Sequence, residues 1–205
     1  MSNKTVCGFS FFLILLLLLG GGCIKQGLPI YYHTLGNVSQ SPVSTDDSMP
    51  DILLRPIKIV SFLDQGQLVS QNSAYSINLE EQHRWAGDLQ EMISNVVISN
   101  LSQILGTDRI YIFPNNQGRT GIQLALTLLH FEKDTDGNAL VEARLKIIAD
   151  DGQTILHVTT SSFTIKPENN DFDSLVKGLS DGLSRLSEEI AEEIRQLNSM
   201  KRKQT

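Results

Sequence analysis

The sequence predicts an α+β domain, with a mixed, largely antiparallel sheet that ends in a three-strand meander and packs against two amphipathic helices. Two observations carry this prediction. Segments 122–128, 141–147 and 154–165 have the alternation of strands, and the turns between them contain Asp and Gly, a strong hairpin signal. Two longer segments repeat apolar residues at spacings of three and four, which is the stripe of a helix with one buried face.

The amino-terminal residues form a separate unit that is typical of an export signal. Lys4 precedes an apolar block at 9–19, which is too short to cross a bilayer, and three glycines then lead to Cys23. A cysteine directly after small residues indicates a bacterial lipoprotein, whose thiol receives diacylglycerol before the peptide is cleaved. We predict a signal peptide over residues 1–22 and lipidation of Cys23. Gly20 stands where such signals usually carry Leu, and ordinary secretion is the alternative.

The lipid predicts the location of the protein. Burial of each acyl methylene stabilises the bound state by about 0.8 kcal/mol, so several chains hold a domain firmly on a bilayer. Ile24 follows the cysteine instead of the Asp that tends to retain lipoproteins in the inner membrane. We therefore expect the periplasmic face of the outer membrane of a Gram-negative bacterium. The predicted organisation is a lipidated tether over 23–28, one domain over 29–199 and a basic tail over 200–205.

Composition excludes several functions. The mature chain has no thiol, because Cys7 leaves with the signal and Cys23 is lipidated, so disulfides, thiol catalysis and cysteine-ligated metals are excluded. The formal net charge is -6, and loss of Lys4 with the signal moves it to -7. This acidic balance argues against nucleic acid as a partner, because a phosphate backbone requires a basic patch. The basic cluster at 201–203 complements the C-terminal dipole of the preceding helix.

The amino-terminal half of the domain alternates short extended segments and loops. We expect a strand over 29–35, an exposed loop over 36–51 that is rich in Ser, Asp and Pro, and a strand over 52–60. Pro56 cannot donate to a ladder, so that strand should lie at an edge or begin there. Further short extended segments follow over 68–79.

The first helix is predicted from an apolar stripe. Its start lies between Asn78, a possible cap, and Trp85, and Gly106 ends it. A strand over 109–114 follows and is stopped by proline. The stripe comprises Leu89, Met92, Ile93, Val96, Val97, Leu101, Ile104 and Leu105.

The second helix closes the chain. Asn170 or Asp171 caps it, and packing onto the meander is favoured over a coiled-coil seam, because the exposed sheet needs a cover. Its stripe comprises Phe172, Leu175, Val176, Leu179, Leu183, Leu186, Ile190, Ile194 and Leu197.

No motif indicates catalysis, and we predict no enzyme activity, no cofactor and no metal site. Residues 134–138 superficially resemble a calcium loop, but the glycine is misplaced, and a plain turn is favoured. The glutamate pairs at 188–189 and 192–193 indicate a solvated helix face rather than an acid–base pair. A metal site assembled from distant histidines stays open, although surface or core roles are favoured. The four histidines are His33, His83, His130 and His157.

Three motifs in order, followed by the meander and the last helix, carry a family resemblance. They are Tyr-Tyr-His-Thr-Leu at 31–35, Arg-Pro-Ile-Lys-Ile at 55–59 and Arg-Trp-Ala-Gly-Asp-Leu at 84–89. The arrangement resembles the auxiliary lipoproteins of ABC-type transporters, the family of the paraquat-inducible (Pqi-type) lipoprotein. Two departures are an extra residue in the first motif and Asp88 in place of a proline.

The resemblance implies an accessory subunit of an envelope lipid-transport system. There an inner-membrane permease and ATPase work with a mammalian-cell-entry (MCE) domain protein that crosses the periplasm as a hydrophobic conduit. The lipoprotein would dock the far end of the conduit at the outer membrane, and assembly as a homo-oligomer is left open. Trp85 is the candidate structural anchor at the first helix entry, a role favoured over direct lipid contact. A scaffold lipoprotein unrelated to lipid traffic and a lipid- or sugar-processing enzyme are the alternatives.

Overall fold

The computed structural model of the chain describes residues 27–36, 49–114 and 118–203. The predicted signal peptide, Cys23 and most of the loop predicted over 36–51 lie outside these residues. The described part is an α+β fold with nine strands in one mixed sheet and two helices packed with it. The predicted fold class is confirmed.

Short strands come first along the chain, and the longest strands and the longest helix come last. In chain order the elements are β1 Tyr31–His33, β2 Ile52–Leu54, β3 Lys58–Ile59, β4 Gln67–Ser73, β5 Ser76–Trp85, α1 Leu89–Leu105, β6 Ile110–Ile112, β7 Ile122–Lys133, β8 Ala139–Ile148, β9 Ile155–Ile165 and α2 Phe172–Lys203.

Strand β7 organises the sheet. On one side it pairs antiparallel with β8, which pairs antiparallel with β9. On the other side β7 runs parallel to β2, β3 and β4 in succession along its length. Beyond these, β2 pairs with β6, β4 pairs with β5, and β5 pairs with β1. Among the described strands, β9 therefore forms one edge, while β6 and β1 lie at the opposite margin.

The predicted meander is confirmed in the pairing of β7, β8 and β9. The first turn is held by Asp134, whose Oδ1 accepts from the backbone N–H groups of Asp136 at 2.9 Å and Asn138 at 2.7 Å. Gly137 and Gly152 have φ of 85° and 72°, the left-handed region that each turn requires and that glycine adopts without strain. Within β8 the odd-numbered residues from 139 to 147 are buried, as the sequence alternation predicts.

The single strand predicted over 52–60 is wrong. Two short strands, β2 and β3, pair with β7 on either side of Pro56, which has no N–H to donate and interrupts the ladder. The edge position is also wrong, because β2 is fully buried between β6 and β7. Proline tolerates this place because it falls in the break, outside both strands.

The predicted start of the first helix is also wrong. Residues between Asn78 and Trp85 are extended in β5, because they pair with β4, and α1 begins only at Leu89. Asp88 is the actual cap, and its Oδ1 accepts from the N–H of Glu91 at 2.8 Å. The predicted end is confirmed, since Gly106 has φ of 65° and closes the helix.

Helix α2 packs over β8 and β9 and against α1, which confirms that it covers the meander. Asp171 caps it by accepting from the N–H of Ser174 at 2.7 Å. Small residues allow the close approach. A Cβ built at Gly182 would lie 2.5 Å from Cγ2 of Val141, and one built at Gly178 would lie 2.9 Å from Cβ of Ala139. No described helix combines the length and apolarity that crossing a bilayer requires.

Candidate functional site

The two residues singled out from the sequence fall in different places. Cys23 lies outside the described residues. Trp85 is the last residue of β5 and lies three residues before Asp88, the cap of α1. The Trp85 side chain is 5% exposed, and its ring centroid lies 5.9 Å from that of Phe131 on β7. Trp85 is thus a core residue that packs β5 against the central strand.

A cluster of rings lies where the chain enters the sheet. We call Tyr31, His33, His83 and Phe172 the histidine cluster. Nε2 of His33 on β1 lies 2.9 Å from Nδ1 of His83 on β5, within hydrogen-bonding distance. The His83 ring stacks between Phe172, at 3.7 Å between centroids, and Tyr31, at 5.3 Å. The cluster joins the first described strand to β5 and to the beginning of α2.

Charged groups surround this cluster. Nδ1 of His33 lies 3.3 Å from the Asp173 carboxylate, and Nζ of Lys133 lies 5.1 Å from the centroid of the Phe172 ring. Burial lowers the pKa of His83 below its ordinary value of 6.5. His33 and Lys133 add to this effect, and Glu80 and Asp173 oppose it. A neutral His83 ring has one donor and one acceptor nitrogen, so it can share one hydrogen bond with His33.

A second polar group lies inside the sheet at Glu132. Its carboxylate is buried and accepts from Nε2 of Gln71 at 2.6 Å and from the N–H of Phe131 at 2.7 Å. Nδ1 of His130 also lies 2.7 Å from it. A buried carboxylate with three partners is satisfied, and it ties β4 to β7.

The glutamates of α2 are only partly a solvated face. Glu188 and Glu192 are exposed, as predicted. Glu189 instead accepts a hydrogen bond from the hydroxyl of Ser161, and the Glu193 carboxylate lies 3.5 Å from Nδ1 of His157. The two inner glutamates turn toward β9 because its polar side chains lie beneath the helix. Within residues 27–36, 49–114 and 118–203, no three His, Cys, Asp or Glu side chains meet in a metal-binding geometry.

An apolar groove opens at the carboxyl end of α2. Its volume is about 870 Å³, and it lies between the last turns of the helix and the end of the sheet. Arg109 and Asp51 also line the groove and form an ion pair, with 2.6 Å between Nε of Arg109 and Oδ1 of Asp51. The apolar lining includes Met49, Ile122, Leu156, Ile194, Leu197 and Met200.

Comparison with known proteins decides the family. The sequence model of a family described as the ABC-type transport auxiliary lipoprotein component matches residues 33–191, which include every described element from the end of β1 to most of α2. The chain belongs to this family. Its members are lipoproteins, which implies a lipid anchor in a membrane, and their described role is auxiliary to transport rather than catalytic. No protein with a curated description matches the chain.

Two solved structures share the fold of this family member. Protein XCC0632 from Xanthomonas campestris is 14% identical, with a TM-score of 0.69 over 87% of this chain and 100% of that chain. A crystal structure described as an uncharacterized protein is 21% identical, with a TM-score of 0.67 over 82% of this chain and 99% of that chain. At these identities the likeness shows the fold alone.

Proposed function

We propose that this protein is an accessory subunit of an MCE-type intermembrane lipid-transport system, anchored through Cys23 to the periplasmic face of the outer membrane. There it docks the periplasm-spanning MCE-domain protein and carries out no chemistry of its own. The observation that carries the proposal is the family match over residues 33–191, and the signal peptide predicted over residues 1–22, directly before Cys23, supports it.

The short tether supports a position close to the bilayer. Seven residues lie between Cys23 and Tyr31, and the eight steps of a fully extended chain from one to the other span at most about 29 Å. The histidine cluster holds β1 against β5 and α2, so the tether is attached directly to the folded domain. A lipoprotein held in this way can hold a partner at the membrane surface.

The anchor is tested by substituting Cys23 and, as a matched control, the second cysteine of the signal. Cys23→Ala should remove the lipid mass from the protein and deplete it from the outer-membrane fraction of a sucrose gradient, whereas Cys7→Ser should change neither. An unmodified amino terminus on the mature wild-type protein, or unchanged outer-membrane fractionation of Cys23→Ala, contradicts the proposal.

The docking role is tested separately by recovery of the protein in mild detergent from its native cells. An MCE-domain protein should copurify with the wild-type lipoprotein, and the mass of the particle reports whether the lipoprotein is a homo-oligomer. Consistent recovery of barrel-assembly or peptidoglycan-binding proteins instead would favour the scaffold alternative.

A further inference from the structure

Strand β9 is a long edge strand that lacks the features which usually prevent another strand from pairing with a sheet edge. Among the described strands it pairs only with β8, so one side of its eleven residues offers backbone groups to solvent. Its sequence has no proline and no Lys, Arg, Asp or Glu, the residues that normally block the addition of another strand. The opposite margin is different, since β1 and β6 have three residues each.

Apolar side chains accompany these unpaired backbone groups. Ile155, Leu156 and Val158 are 55%, 42% and 51% exposed. Leu156 also lines the apolar groove, so the edge and the groove form one continuous surface. An added strand would bury both the backbone groups and these side chains, which is how extended peptides bind to sheet edges.

The two faces beside β9 carry opposite charges. On the helix side, the carboxylates of Glu189 and Glu193 reach β9. Two further glutamates, Glu188 and Glu192, are exposed on the same helix, and Arg185 lies one turn before them. On the other face, the exposed Arg144 and Lys146 of β8 lie opposite Thr160 and Val158 of β9. They lie on that face because the odd-numbered residues of β8 point into the core.

This arrangement disfavours a second copy that pairs through its own β9 about a two-fold axis. Antiparallel pairing of two β9 strands about a two-fold axis would place both α2 helices on the same face of the joined sheet. Glutamates would then face glutamates on one side, and basic residues would face basic residues on the other, which is unfavourable. A different chain can place basic side chains beneath α2 and avoid this repulsion.

We propose that β9 receives, by strand addition, an extended segment of another polypeptide in which Lys or Arg alternates with apolar residues. The basic side chains face Glu189 and Glu193 on the helix side, and the apolar ones cover Val158 on the other face. The proposal rests on the docking function in one respect, since it assigns this segment to the docked partner.

The first test uses defined peptides and the full lipoprotein in detergent micelles. The probe is a peptide of about nine residues that alternates Lys and Val, and its control alternates Glu and Val. Alternate amides of a free edge strand point to solvent and exchange rapidly. The Lys-Val peptide should slow hydrogen exchange in residues 155–165 by about tenfold or more, and the Glu-Val peptide should not.

Three outcomes would overturn the proposal. They are no protection of β9 by the Lys-Val peptide, equal protection by both peptides, and concentration-dependent protection without peptide. The last would identify a second copy as the occupant.

A matched pair of variants at one exposed position provides the second test. Val158→Lys places a charge on the edge and should weaken binding of the Lys-Val peptide by about tenfold. Val158→Thr keeps a β-branched side chain and should change binding by less than about twofold. Circular dichroism should be the same for both variants and the wild type. Equal binding by the two variants would contradict the proposed surface.

Copurification separates this inference from the proposed function. If Val158→Lys loses an MCE-domain protein that Val158→Thr retains, both stand. If both variants retain it, docking stands but β9 is not the surface. If the wild type recovers no such protein while the Lys-Val peptide still protects β9, the edge site stands and the MCE assignment fails.

Discussion

The two ends of α2 have the same amphipathic pattern and different surroundings. At the amino-terminal end Asp171 caps the helix, and the histidine cluster lies beside its first turn. Gly178 and Gly182 then bring it into close contact with β8. At the carboxyl end the stripe borders the apolar groove, and Met200 is 51% exposed. One apolar stripe therefore serves two purposes: its first half fixes the helix, and its last turns leave apolar surface open.

The largest expected effect is at the closest contact between helix and sheet. Gly182→Val should lower the free energy of unfolding by about 3 kcal/mol, because the new side chain overlaps Val141 on β8. Urea denaturation measures this. Asp181→Val, at the exposed neighbouring position, is the control and should cost less than about 1 kcal/mol. A similar loss of unfolding free energy in both variants would mean that the low helix propensity of valine, and not its overlap with Val141, causes the destabilisation.

The histidine cluster should give the next largest effect. His83→Ala removes a hydrogen bond and two ring contacts, and should cost about 2 kcal/mol at neutral pH. The pKa of His83 is lowered in the folded state, so the unfolded state binds the proton more readily. This contribution is complete above 6.5 and is lost as the pH falls through the lower folded-state pKa. Unfolding midpoints measured from neutral to acidic pH should therefore fall less steeply for His83→Ala than for the wild type, and parallel curves would exclude this role.

The helix cap gives a smaller effect that distinguishes two residues. Asp171→Ala should lower the melting temperature by a few degrees, because the N–H of Ser174 loses its acceptor. Hydrogen bonds from Ser174 lower the pKa of Asp171 below 3.8, so its contribution is present above that value and is lost at more acidic pH. Asn170→Ala should leave melting unchanged. The opposite ranking would place the cap one residue earlier.

The smallest effect is expected at the open end. Met200→Ala should change the free energy of unfolding by less than about 0.5 kcal/mol, because half of the side chain is already in water. If the free energy of unfolding of the isolated protein fell by more than about 1 kcal/mol, Met200 would be packed in the core, and the two ends of α2 would not differ in burial.

The sequence predicted the elements whose signals are local. The meander follows from alternation and Asp-Gly turns, and α2 from a long stripe preceded by a capping residue. The break at Pro56 was not predicted, because β2 and β3 depend on pairing with β7, about seventy residues later. Likewise, the extension of β5 to Trp85 depends on its pairing with β4, which outweighs a cap-like Asn78.

The candidate site was less accessible from the sequence. His33 and His83 lie fifty residues apart and meet only because β1 pairs in parallel with β5. The distance in sequence between two residues does not reveal that they lie on adjacent parallel strands. The open edge of β9 was likewise not predicted, because alternation identifies a strand but not the number of its neighbours. Absence of charge in residues 155–165 was the one local signal that set β9 apart from β8.

The position of β7 affects the order in which the domain can form. Among the described strands, β2 and β3 bond only to strands that are synthesised after them, and β7 is the one they share. Those early segments have no lasting partner until β7 is available, since contacts between distant segments form slowly. During synthesis the amino-terminal part of the sheet therefore stays incomplete until residues 122–133 are available to pair with it.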